Sequence, residues 1–242
     1  METGKSLQKR LKSYPGQLRG YALTEPIEAY LVARYGESWQ RVNQVTIDAI
    51  GPPLLMEDFR PGIGCCTITA LTAVFSLIQK SQEIPLLPRD ERLLFDQIEA
   101  LAARHGYRPK RGRTNPLRIG AIVRALFRRF GMSGQAGSVL CLPAHQIRRE
   151  LDAGWPVLLN IAFGYYHRHT VAVVGYQLWQ SVGPDAQVRR QNLLWLVQDG
   201  WSREVRLIDH RAFSRPWSGN CSVYSVTRIR PDEHPLHSVI QK

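Results

Sequence analysis

Apolar residues return every three or four positions from Cys66 to Lys80, at Ile68, Leu71, Val74, Phe75 and Ile78, the spacing that lines one side of a helix. Leu87–Tyr107 has the same rhythm and ends at Gly106, and Ile119, Ile122, Val123, Leu126 and Phe127 set out a third helix. An earlier helix is expected over Glu25–Trp39, with Pro26 in its first turn and Gly36 near its end, followed by a Pro- and Gly-rich loop over Gly51–Gly64. Pro143–Phe163 reads as a short helix, a Gly-Trp-Pro turn and a strand at Val157–Ala162. Beyond Tyr165 the period changes. His169–Trp179, Asn192–Trp201, Arg203–Asp209 and Cys221–Ile229 are apolar, β-branched and aromatic runs divided by polar turns, with Ser181–Asn192 as an exposed hairpin loop. Helices first and strands after predict an α+β fold with separate layers.

Composition adds bounds. The 242 residues, 44% hydrophobic and 21% charged, suffice for one domain, or one core built from two lobes. The basic first residues lack the apolar stretch of a secretory signal, and no later run approaches a membrane span, so a soluble cytoplasmic protein is expected. Four cysteines, Cys65, Cys66, Cys141 and Cys221, are too scattered for a disulfide framework. A bond between the neighbours Cys65 and Cys66 would be strained, and no C-x-x-C pair points to zinc, so free thiols and no metal are expected. The net charge of +12 is densest over Arg108–Gly131, where Arg118, Arg124, Arg128 and Arg129 fall mostly off the apolar stripe. No nucleic-acid-binding motif accompanies it, so the charge speaks for solubility and for acidic partners rather than for DNA or RNA.

Three stretches carry candidate chemistry. In the first, Arg60–Leu77, a glycine-rich loop becomes a helix at Cys65–Cys66. Free N–H groups and the positive dipole end at a helix start stabilise a thiolate, although cysteine is also a common small buried hydrophobe. The second places His169 at the mouth of an apolar strand, where an imidazole is held rigidly enough to act as a base; His167, two residues earlier, competes. In the third, Asp199 follows an apolar strand and precedes Gly200-Trp201. There it could fix the tautomer of His169 while Trp201 shields the contact, or it could simply begin a turn.

Together these residues resemble the papain-like cysteine peptidases, in particular the bacterial branch that includes the C39-like and streptopain-like peptidases. The pattern C-x-x-T-A is matched by Cys66-Thr67-Ile68-Thr69-Ala70, H-x-V-x-x-x-G-Y by His169–Tyr176, and an acidic or amide residue before a small residue and Trp by Asp199-Gly200-Trp201. The resemblance covers Pro61 to Trp201 and selects Cys66 over Cys65, leaving Cys65 to pack or tune the site. It implies a papain-like fold, with a helical N-terminal part and the nucleophile helix packed on a C-terminal antiparallel sheet. The peptidase domain would span 51–242. Residues 1–50 would be a helical extension, either covering the cleft or belonging to the domain.

Two departures stand out. The stretch just before the cysteines, Glu57–Gly64, holds no Gln of the kind that in papain-like enzymes donates to the oxyanion; the Cys66 N–H is one candidate donor, and Arg60 or a polar side chain from elsewhere the other. His169 and Asp199 lie thirty residues apart, which the Ser181–Asn192 hairpin accounts for as an insertion.

The resemblance implies a Cys66-His169-Asp199 triad that cleaves an amide bond through a thioester, without cofactor or metal. The substrate would be a peptide or protein, with acidic ones suggested by the surface charge. Its rivals are a transglutaminase-like acyltransferase and a non-catalytic papain-fold module that binds acidic or nucleic-acid partners.

Overall fold

The computed structural model describes residues 22–23, 26–47, 51–82, 84–163, 166–183, 187–214, 223–232 and the backbone of 238–241. In chain order these form β1 (Ala22–Leu23), α1 (Ile27–Tyr35), β2 (Ser38–Ile47), α2 (Met56–Phe59), α3 (Cys66–Gln82), α4 (Glu91–Arg104), α5 (Ile119–Arg129), β3 (Gly134–Leu140), α6 (Ala144–Asp152), β4 (Val157–Ile161), β5 (His169–Val182), β6 (Val188–Gln198), β7 (Arg206–Asp209), α7 (His210–Ser214), β8 (Tyr224–Pro231) and β9 (Ser238–Gln241). It is an α+β structure whose strands all pair antiparallel.

The nine-stranded sheet runs β1-β7-β6-β5-β4-β8-β3, with β2 and then β9 joined alongside the second half of β5. β5 is the hub. Its first residues pair with β4, its middle and end with β6, and its last eight residues with β2 as well. The change of partner turns on Gly175, where an ideal Cβ would stand only 2.2 Å from the Val45 carbonyl oxygen, so β2 approaches β5 only because no side chain is there.

Every residue of α3 from Cys66 to Gln79 is buried. A helix buried all round is enclosed by neighbours: α3 lies against β5 and α4, and Phe75 meets Phe127 of α5 and Phe130 just beyond it at ring distances of 5.9 and 6.0 Å. Asp90 caps α4 by accepting from the Leu93 N–H at 2.7 Å. The helix that begins at Cys66 is thereby packed into the core along its length.

The predicted helices and late strands stand, with shifts at their ends. Three elements went unforeseen. β2 occupies the tail of the expected Glu25–Trp39 helix and beyond; of its residues only Trp39, Val45 and Ile47 are buried, a sparse pattern interrupted by a bulge between Arg41 and Asn43. β3, GQAGSVL, has too few apolar residues to register as a strand, and β9 is a four-residue addition to β2. Strands therefore do not simply follow helices: β1 and β2, on either side of α1, belong to the same sheet as the late strands. The Ser181–Asn192 loop is mostly strand, paired down to Val182 with Val188, and its tip at 184–186 lies outside the described residues. Residues 1–21 and Cys221 lie outside them too. No described helix is long and apolar enough to cross a membrane.

Candidate functional site

Cys65 and Cys66 stand at the N-terminus of α3. The Cys65 carbonyl accepts the Thr69 N–H at 2.9 Å, which makes Cys66 the first helical residue. Its sulfur lies against the amides and hydroxyls of Thr67 and Thr170, which favour a thiolate, but burial is the larger influence and pushes its pKa up. Cys65 is fully buried, its sulfur 3.7 Å from the Met56 carbonyl and 3.4 Å from the Thr69 hydroxyl, and burial pushes its pKa up to about 11.

Thr170, the residue after the candidate base, links the two halves of the site. Its hydroxyl lies 3.1 Å from that of Thr67 on α3 and donates to Asn160 Oδ1 on β4 at 3.0 Å. His169 thus enters the core beside a residue already held to α3. His167 is exposed. Arg168 between them has φ 54°, so the chain is not extended there and the two histidines do not share a strand face.

His169 Nε2 lies 2.6 Å from the backbone carbonyl oxygen of Asp199. A carbonyl only accepts, so Nε2 carries the proton and Nδ1 is left with the free lone pair. No hydrogen bond to Nδ1 occurs among the described residues, and none joins His169 to Cys66. The imidazole stacks on Trp201 at 3.9 Å between ring centroids, with the Tyr166 ring 5.5 Å away. Burial among these rings lowers its pKa to about 4, with the Asp199 carbonyl pulling the other way.

The Asp199 carboxylate makes no bond to His169, and the expected side-chain contact is replaced by the main-chain one. Oδ1 accepts the N–H groups of Trp201 and Ser202 at 2.9 and 3.1 Å, and Oδ2 accepts the Tyr166 hydroxyl at 3.0 Å. The side chain therefore braces both aromatics that flank the imidazole. Burial raises its pKa, while these donors and Arg206 lower it. Tyr166 carried no role in the sequence reading; its position three residues before His169 was the only available signal.

Arg60 is engaged elsewhere. It pairs with the buried Glu99 of α4, and Phe59 stacks on Phe95 at 4.4 Å, so the segment leading to the cysteines is tied down on α4. The Met56 N–H donates to the Gly200 carbonyl at 2.9 Å, and Arg203 grips Asp58 with bonds of 3.1 and 3.0 Å. Under this cover Cys66, Thr170, Gln198 and Asp199 share a cavity of about 10 Å³ with Leu54. That holds about one water molecule and no acyl group.

The basic loop lies against the same segment. Gly112, at φ 58°, would place a Cβ 1.5 Å from the Gly64 carbonyl oxygen, so the two backbones touch. Arg108 and Arg113 close the loop by a main-chain bond of 2.8 Å. Arg108, Lys110, Arg111 and Arg113 are exposed beside the approach to Cys65.

Among the described residues, no group of three or more His, Cys, Asp or Glu is placed to hold a metal ion. No protein-family model matches this sequence, and no curated protein is significantly similar to it.

Proposed function

We propose that the chain is a thiol acyl hydrolase. Within that class the reading is a papain-like cysteine peptidase with Cys66 as nucleophile and His169 as base. The observation that carries it is the bond from His169 Nε2 to the Asp199 carbonyl. That bond fixes the tautomer whose Nδ1 can take a proton, in an imidazole stacked on Trp201 and joined through Thr170 to the helix that begins at Cys66. In this reading Nδ1 accepts the Cys66 proton as sulfur attacks the acyl carbon, and the proton passes to the departing amine. Water then cleaves the thioester and regenerates the thiol. The Cys66 N–H, unused by the helix, donates to the oxyanion. Asp199 is a positioning residue, acting through its carbonyl on His169 and through its carboxylate on Tyr166 and Trp201. The exposed cations of 108–113 against Gly64 favour substrates with acidic segments.

The closed cavity of about 10 Å³, with its neutral thiol and neutral imidazole, favours one rival, the non-catalytic module. Incubation of the full chain with a complex peptide mixture, read by mass spectrometry, separates the two. New termini that are absent with Cys66→Ser support the peptidase. Identical peptide patterns for the two proteins contradict it.

A further inference from the structure

A far larger hollow lies elsewhere, between α6, α7 and the β5–β6 strands. It is an open cleft of about 540 Å³ that shares no lining residue with the small cavity at Cys66. That volume is typical of a small-molecule site. Its charged lining is of one sign: Arg148 from α6, Arg190 from β6 and Arg211 from α7, with His145 and His210 beside them.

Among the described residues, none of the three guanidinium groups is in an ion pair. Arg148 lies over the Tyr176 ring at 4.9 Å and 3.5 Å from its hydroxyl; Arg211 lies over the Tyr35 ring at 5.1 Å; Arg190 Nη1 is 3.5 Å from the Tyr35 carbonyl. The carboxylates of the adjoining elements are committed. Asp209 accepts from the hydroxyls of Tyr30 and Tyr35 and from the N–H groups of Arg211 and Ala212, and Asp152 accepts from the Tyr176 hydroxyl. Arg148 Nε, Arg211 Nε and Asn192 Nδ2 are buried donors without a described partner. Three guanidinium groups lining one hollow with no ion pair of their own repel one another, and an anion in the hollow relieves that repulsion.

We infer that this hollow binds a phosphorylated small molecule. Guanidinium forks match the oxygens of a phosphate group, and three of them converging suit a multiply charged one. The volume exceeds what one phosphate fills, and Leu178, Leu193 and Ala144 give the organic part an apolar wall. The cations surround one hollow instead of following a track, which sets it apart from a groove for single-stranded nucleic acid. The site is independent of the chemistry at Cys66.

The test is isothermal titration of the full chain at physiological salt with ATP, pyrophosphate, citrate and a single-stranded oligonucleotide. One-to-one binding of ATP or pyrophosphate is expected, weakened about tenfold or more by Arg190→Gln and by Arg211→Gln. Arg129→Gln, an exposed change on α5, should leave it unaltered. Absence of phosphate binding, equal affinity in Arg190→Gln and Arg129→Gln, or citrate or the oligonucleotide binding as tightly as the phosphates would each overturn the assignment. Repeating the titration on Cys66→Ser separates its outcome from that of the peptidase reading, since binding here does not use the thiol.

Discussion

The proton on His169 Nε2 is set by a main-chain carbonyl, which no side-chain substitution removes. Asp199→Asn keeps that carbonyl and leaves an amide able to accept from Tyr166 or Trp201, so activity should fall only a few-fold. Asp199→Ala strips the brace from both aromatics and should lower kcat about tenfold with little change in KM. Loss of activity in Asp199→Asn as complete as in Cys66→Ser would mean that the carboxylate charge itself acts in the reaction. Much of the candidate site was legible residue by residue, because Cys66, His169 and Asp199 each sit where an apolar run begins or ends. The atom of Asp199 that meets the imidazole was not, since sequence does not show which way a turn presents its carbonyl. The parts of Tyr166 and Thr170 were hidden because both act through contacts made far along the chain.

At the scale of elements, the proposed reaction needs the cover over Cys66 to open. α2 and its flanks are held by Phe59 on Phe95, by Arg60 with Glu99 and by the exposed pair of Arg203 with Asp58. An exposed ion pair contributes at most about 1 kcal/mol, so Arg203→Ala should shift an opening equilibrium by no more than about fivefold. Iodoacetamide should accordingly label Cys66 up to a few times faster in Arg203→Ala, with thermal stability nearly unchanged. An unchanged labelling rate would show that the segment does not gate the thiol. Gly175→Ala should be far more damaging, because its Cβ would push β2 from β5. A fall in melting temperature with loss of amide protection confined to β2 and β9 is expected. These pairings were invisible in sequence. β5 announced itself by an unbroken apolar run buried on both faces, whereas β2 alternates too loosely to be told from the end of a helix.

At the scale of the molecule, acid should be the weak point. Burial lowers the folded pKa of His169 and of His210 to about 4. An unfolded chain takes up these protons near pH 6.5, so the stability they protect is whole above that value and is lost as pH falls toward 4. For His169 this amounts to about 3 kcal/mol. Asp199 works the other way, since its raised pKa favours the protonated form in the fold. Urea unfolding at pH 7.5 and 5.0 should show a loss in the native chain that is smaller in His169→Gln; an equal loss in both would remove His169 as its cause. The net charge of +12, read from composition as a feature of solubility and of acidic partners, is locally organised by the fold. Part of it flanks Gly64 and part lines the hollow between α6 and α7.

The central claim, that His169 serves Cys66, is tested most directly by the rate of iodoacetamide labelling at each cysteine, read by peptide mass spectrometry in the native chain and in His169→Gln. Cys66 labelling should fall about tenfold or more in the variant while the exposed Cys141 is unaffected. Labelling of Cys66 that is indifferent to His169, or of Cys65 in its place, would contradict the account.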